Sequence, residues 1–345
     1  MEQFIQQHRL EDAILNNGLD QPEEILTKPM PEVQRVLKIT KADCNTLYSA
    51  ASSEIYDWRK RHQTVDDLSE STIQLGDPGF DKMLGGGILL GSVTEIVGES
   101  SSGKTQLGLQ LCFAVQNQYM HGEAVYMHSE GRLPTRRLDV LGHHLCPQDA
   151  DQTKRRIHTM QLTEDGPSQY FSLAYKLPFF IQQHPNVHLV VIDSISALYR
   201  GQPDRDRFEQ MEELCDLGMR LKKMAATHNI AIVVINQVSD RIDQKDDQLS
   251  VSNSSGSGSG VSEWMDLQML TPQTPLSIFI NSLQKKPALG QALAYSVTTR
   301  IRLARSLLMD DRKTRRIGCV EFSPFVARQA CEFTINEGGI KSNFG

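Results

Sequence analysis

Residues Gly98 to Thr105 read GESSSGKT, and they place two glycines, a lysine and a hydroxyl at the spacing G-x-x-x-x-G-K-[ST] of a phosphate-binding loop. Gly98, Glu99, Ser100, Ser101, Ser102 and Gly103 supply a turn whose backbone N–H groups can converge on an anion. The helix that starts beyond it adds its positive end. Lys104 has the reach and charge for the β- and γ-phosphates of ATP, and the Thr105 hydroxyl can bind Mg²⁺. The alternative, a chance Gly/Ser loop, is disfavoured by what flanks it. Ser92 to Val97 (SVTEIV) is an apolar, β-branched run that reads as a buried strand, and Gln106 to Gln116 reads as a helix.

Phosphoryl chemistry also needs a carboxylate for the metal and a group that orients water. His188 to Asp193 (HLVVID) is an apolar run ending in a carboxylate, so Asp193 is the candidate second metal residue. Its other reading is a helix cap with Ser194. Ala124 to Glu130 (AVYMHSE) ends the same way, making Glu130 the candidate for polarising the attacking water. Its other reading is a surface ion pair with Arg132 or Arg136. Ile230 to Ile235 runs into Asn236-Gln237, where an amide can sense the γ-phosphate or simply satisfy a turn. No H-E-x-x-H or G-x-S-x-G occurs, the ten histidines show no ligand spacing, and the six cysteines form no C-x-x-C pair. Neither a zinc site nor a disulfide framework is expected, and a reducing compartment is.

Strand, loop and helix around Gly98, followed by further apolar runs at 124–127, 188–192 and 230–235 with helical stretches between, predict an α/β fold with a mostly parallel sheet. Ligands of such sheets bind at the carboxyl ends of the strands, where Gly98 to Thr105 falls. Residues 1–58 show helical spacing punctuated by Pro22, Pro29 and Pro31, which predicts a small N-terminal helical domain. A polar linker is expected over 59–72 and the ATPase core over 73–345. A flexible insertion is expected over 240–284, where SVSNSSGSGSG is of low complexity. Ala292 to Arg305 and Ile317 to Ile335 read as β-rich. The N-terminus has no apolar signal core, and no apolar run is long enough to span a membrane.

The chain of 345 residues has a formal net charge of −6, which alone argues against nucleic acid. Its basic residues are unevenly placed. From Asn281 to Val320 nine Lys/Arg face two Asp, a segment of +7, so the remainder sums to −13. Contact with a polyanion is expected there, the other reading being a solvated hairpin face.

The motifs taken in order resemble those of the RecA-like strand-exchange ATPases, and more narrowly the eukaryotic Rad-type recombinases and their paralogues. The resemblance is carried by Phe80 to Ile88 (FDKMLGGGI), Gly91 to Gly98 and Ser102 to Gln106. Leu189 to Ser194, Ile235 to Val238, Lys286 to Gly290 and Thr298 to Ile301 continue it. Ser129 to Leu138 (SEGRLPTRRL) is similar to an element of the X-ray repair cross-complementing group three and fungal Rad fifty-seven type. The resemblance implies a RecA-like P-loop ATPase core. It makes Glu130 the catalytic carboxylate, Asp193 the second metal carboxylate, Gln237 the γ-phosphate sensor, and Arg137 a partner lying against adenine. It implies DNA-facing loops over 200–210 and 240–290, with Arg200, Arg205, Arg207, Lys285 and Lys286 suited to the phosphate backbone. Ser323-Pro324 resembles the segment that caps ATP on a neighbouring subunit, without the usual acid before it. The family's F-x-x-A tether is not found between Arg59 and Ser71.

The resemblance implies a nuclear recombinase paralogue with weak DNA-dependent ATPase activity that supports homologous recombination. It would pair with another paralogue as a heterodimer, bind single-stranded or branched DNA, and assist the main recombinase filament. Two alternatives stand beside it: an ATP-independent interaction scaffold, and a main strand-exchange recombinase.

Overall fold

The computed structural model describes residues 2–55, 71–129, 131–162, 166–199, 206–239, 264, 266–270, 275–306 and 314–343. The chain divides into two compact units, Met1–Ser69 and Glu70–Gly345. Among its described residues the first holds five helices, Glu2–His8, Glu11–Asn16, Pro22–Thr27, Met30–Leu37 and Lys41–Ile55. Their apolar positions close on one core that includes Leu19, Ile25, Val33, Cys44 and Leu47, each fully buried. Helices this short are marginal alone, so this shared core is what holds them. The proposed linker falls largely on 56–70, outside the described residues.

The second unit opens with a short antiparallel pair, β1 (Thr72–Ile73) and β2 (Ile88–Leu89), and is then built on one large sheet. Its middle strands are β3 (Val93–Gly98), β4 (Glu123–His128), β5 (Ile157–Gln161), β6 (Val187–Asp193), β7 (Ala231–Ser239) and β10 (Thr299–Arg305). Paired with one another these run parallel, in the order β10-β3-β7-β6-β4-β5. β11 (Arg316–Phe322), β12 (Gln329–Asn336) and β13 (Gly339–Ser342) extend the sheet antiparallel beyond β10. Buried residues cover both faces of the sheet in two large apolar clusters. This is why β3, β6 and β7 read as continuous apolar runs rather than alternating ones.

Three expectations need correction. β5 was not among the expected strands. It lies at the sheet edge, only Ile157 of its five residues is buried, and so it lacks an apolar signature. Ala292 to Ala294 belongs to a short helix, Gly290–Ala294, not to β structure. Of the flexible insertion expected over 240–284, residues 240–263, 265 and 271–274 lie outside the described ones, and packing corrects the expectation only for the described remainder. Trp264, Leu267, Phe279 and Leu283 are buried against Ala304, Ile317, Cys319 and Ala330, and β8 (Gln268–Met269) pairs with β12.

Candidate nucleotide site

The parallel strands end together. Gly98 is in register with Gln237 on β7, Asp193 with Ile235, and His128 with Asp193. The loop that follows β3 therefore opens beside the carboxyl ends of β6 and β7. Gly98 is required by close approach, since a Cβ there would meet the Leu303 carbonyl oxygen of β10 at 2.3 Å. Gly103 sits at φ +111°, a conformation that favours glycine, and turns the chain into the helix Lys104–Gln118.

Lys104 is buried and its Nζ donates to the carbonyls of Gly98 and Glu99 at 2.8 and 2.7 Å. The ammonium is thus folded over the loop it would serve. The Thr105 hydroxyl donates to Asp193 Oδ2 at 2.8 Å. A second hydroxyl, from Tyr126 on β4, donates to the same oxygen at 2.7 Å. Burial first, then the neighbouring Asp193 charge, pushes the Tyr126 phenol well above its ordinary pKa, so it stays a donor. Ser129 and Ser194 join the ends of β4 and β6, with Ser194 N donating to Ser129 Oγ at 2.9 Å and Ser129 N to the Asp193 carbonyl at 2.8 Å. An open cleft of about 280 Å³ is lined by Ser100, Ser101, Gly103, Lys104, Thr105, Asp193, Ser194 and Gln237, among others.

The donor set fits a magnesium nucleotide. A hydroxyl and a carboxylate oxygen converge at one side of the cleft, as a hard cation requires. Lys104 and the N-terminus of the helix Lys104–Gln118 line the same cleft. The Ser102 hydroxyl in the loop is buried without a hydrogen-bond partner. Magnesium would be held by Thr105 and by Asp193, and the triphosphate by the loop and Lys104.

Of the other expected residues, Gln237 lines the cleft, while its neighbour Asn236 points away and donates to Glu95 Oε1 at 2.8 Å. The strand's two-residue period thus singles out Gln237 as the amide that faces the cleft. Arg137 spends its guanidinium on Gln106 Oε1 at 2.6 Å and on the carbonyls of Asn336 and Glu337 at 2.7 and 2.8 Å. It lashes the helix Thr135–Leu145 to the β12–β13 turn, and burial lowers its pKa. Glu99 points out of the loop and pairs with Lys285 at 2.9 Å and Arg305 at 3.3 Å. Burial raises the Glu99 carboxyl, but these two cations outweigh it and hold the pKa below its ordinary value. Lys286 is exposed on β9 (Lys286–Pro287). Arg207 opens the helix Arg207–His228, capped by Asp206, whose side chain accepts from Phe208 N. Glu130, Arg200 and Arg205 lie outside the described residues.

Much of the basic segment 281–320 is neutralised inside the fold. Arg300 pairs with Glu95 at 2.6 Å and with Glu321 at 3.4 Å, and Arg302 with Glu321 at 2.7 Å. Arg302 also donates to the Lys285 carbonyl at 2.7 Å and lies 5.5 Å from the Trp264 ring centre. Arg315 pairs with Glu332 at 2.6 Å. Glu95 and Tyr126 were read only as members of apolar strands, yet both proved to be polar anchors of the site. A carboxylate inside a β-branched run was the available signal for Glu95, because a charge there must find a partner.

A parallel sheet with this loop at its switch between β3 and β7 defines a P-loop nucleotide-binding protein with a RecA-like core. The Rad51 family matches residues 69–261, more than half of the chain, and the chain belongs to that family. DNA repair protein rhp57 of Schizosaccharomyces pombe is 28% identical over 343 residues, covering 92% of each chain. DNA repair protein XRCC3 of Mus musculus is 28% identical over 353 residues, 96% of this chain and 95% of its own. DNA repair protein RAD57 of Saccharomyces cerevisiae is 27% identical over 247 residues, 67% of this chain and 53% of its own.

Proposed function

We propose that the chain is an ATP-binding recombinase paralogue of homologous recombination repair. It acts in the nucleus with a second paralogue and assists assembly or stability of the main recombinase filament on single-stranded DNA. Support for the repair role comes from relatives named as DNA repair proteins that align along nearly the whole chain. Among the described residues no helix is long and apolar enough to cross a membrane.

The observation that carries the nucleotide reading is the convergence of Lys104, Thr105 and Asp193 on one cleft. ATP binds through the loop backbone and Lys104, magnesium through Thr105 and Asp193, and Gln237 reads the γ-phosphate. Glu130 polarises the attacking water in a weak, DNA-dependent hydrolysis, and Arg137 lies against adenine. Arg200, Arg205, Arg207, Lys285 and Lys286 contact the phosphate backbone of single-stranded or branched DNA.

The test is a thermal-shift titration with Mg-ATP. A ligand that binds only the native state raises Tm, so the wild type should shift and Lys104→Ala should not. Glu130→Gln should keep the shift and lose hydrolysis. An unchanged shift in Lys104→Ala overturns the site assignment. Full complementation of a null strain by both variants favours an ATP-independent scaffold.

A further inference from the structure

Three side chains far apart in sequence meet at the amino-terminal edge of the sheet. Glu123 opens β4, His158 is the second residue of β5, and His184 caps the end of the helix Leu177–Gln183. Parallel pairing of β4 with β5 sets His158 opposite Val125, on the face that Glu123 shares two residues earlier. A hydrogen bond of 2.8 Å from Glu123 N to the Asn186 carbonyl draws in the turn that carries His184. His158 Nε2 lies 2.8 Å and His184 Nδ1 3.5 Å from the same oxygen, Glu123 Oε2. The donor atoms of all three residues fall within 4.8 Å of one another. The imidazoles are held by packing. Phe180 stacks on His184 at 4.0 Å and meets His158 edge-on at 5.1 Å.

We infer that Glu123, His158 and His184 form a binding site for one divalent cation of the zinc class. Two imidazole nitrogens and one carboxylate oxygen are a borderline-soft set, unlike the all-oxygen shells that magnesium and calcium take. Tetrahedral zinc with bonds of about 2.0–2.2 Å spaces its ligand atoms roughly 3.3–3.6 Å apart. The observed 3.5 Å falls within that spacing, and the 2.8 Å lies below it by an amount that a small side-chain adjustment makes up. Three protein ligands leave a fourth position for water. The side chains are 30%, 21% and 34% exposed in the order His158, Glu123, His184, so an ion can reach them from solvent.

This site is separate from the nucleotide cleft. It lies at the start of β4, whereas the cleft lies at the strands' carboxyl ends, roughly 16 Å away along the six residues of that strand. The ion joins the edge strand β5 to the turn entering β6, so its effect falls on the stability of that edge. Five of the six thiols compete poorly. Cys44, Cys112, Cys146, Cys319 and Cys331 are all buried, and burial raises each of their pKa values, which keeps them protonated.

The full-length chain, stripped with a chelator, is titrated with Zn²⁺ against a fluorescent zinc indicator, and with Co²⁺ while its visible spectrum is recorded. The expected result is one ion per chain, intense tetrahedral cobalt bands and a higher Tm. The His158→Gln/His184→Gln double variant should lose the bands and the Tm rise while keeping the Mg-ATP shift. Glu123→Gln, which preserves shape, should weaken zinc binding by about tenfold or more, and it stands in if the double variant does not fold. Zinc uptake by these variants as tight as the parent's, or no uptake by the parent at micromolar free zinc, overturns the assignment.

Discussion

Arg300→Met removes the cation from the most deeply buried ion pair described. The Arg300 and Glu95 side chains are 7% and 0% exposed, and Nε lies 2.6 Å from Oε2. After the substitution Glu95 keeps one donor, the neutral amide of Asn236 at 2.8 Å. Breaking a buried pair by deleting one partner costs about 3–5 kcal/mol, because a charge is left uncompensated. At roughly 2–4 °C per kcal/mol for a domain of this size, Tm should fall by about 6–20 °C. Methionine retains apolar contact with the Phe322 ring, over which the guanidinium now lies at 5.0 Å, so lost packing is a smaller part of the cost. The double variant Glu95→Gln/Arg300→Met discriminates between lost charge pairing and lost shape. With both charges gone no uncompensated carboxylate remains, and the double variant should be more stable than Arg300→Met alone. Differential scanning calorimetry on the four proteins gives the coupling, expected at about 2 kcal/mol or more. Glu95 stands three residues before Gly98 and Asn236 one before Gln237, so Arg300→Met should also shrink the Mg-ATP thermal shift. A single variant within about 1 kcal/mol of wild type, or strictly additive effects, refutes the argument that this pair anchors the loop strand.

The Glu99 carboxyl is held below its ordinary pKa by Lys285 and Arg305 against the opposing effect of burial. Its contribution is therefore fully present above the unfolded value of about 4.3 and is lost as pH falls through the folded value. Lys285→Ala should move the acid-unfolding midpoint to higher pH, read by circular dichroism; no movement refutes the pairing. Lys286 is exposed whereas Lys285 is engaged by Glu99. Lys286→Ala should accordingly lower the salt slope of single-stranded DNA binding by about one, and Lys285→Ala by less. A larger effect at Lys285, measured by fluorescence anisotropy across salt concentrations, contradicts this ranking. Ser323 is turned inward, with Thr299 Oγ1 at 2.9 Å and Phe325 N donating to it at 3.2 Å, and Phe325 stands 48% exposed beside it. If a different paralogue covers this segment, Phe325→Asp should abolish one-to-one association in light scattering without altering Tm of the isolated chain. Long ATP-dependent homopolymers of the isolated wild type would instead indicate a main recombinase.

The phosphate loop was legible because three local signals coincide there: an apolar strand, a glycine turn and a helix start within about 25 residues. Asp193 and Gln237 were legible for a related reason, since Asp193 ends β6 and Gln237 lies just beyond the apolar run of β7, and each run points to where its polar residue must lie. β5 was not, because an edge strand with one buried residue in five has no period to detect. Charge was the hardest property to interpret. The nine cations of 281–320 suggested an outward face, but counting charges ignores which of them are paired. Arg300 and Arg302 are two apart on a strand, so they share a face, and that face meets Glu321 on β11 and Glu95 on β3. The Arg300 pairing with Glu95 spans 205 residues. The same limit hid Glu123, His158 and His184, whose approach depends on β4 and β5 lying parallel at the sheet edge. Polar residues within apolar strands thus carry the long-range information in this chain. A charge at such a position implies a partner, and only the order of the strands identifies it.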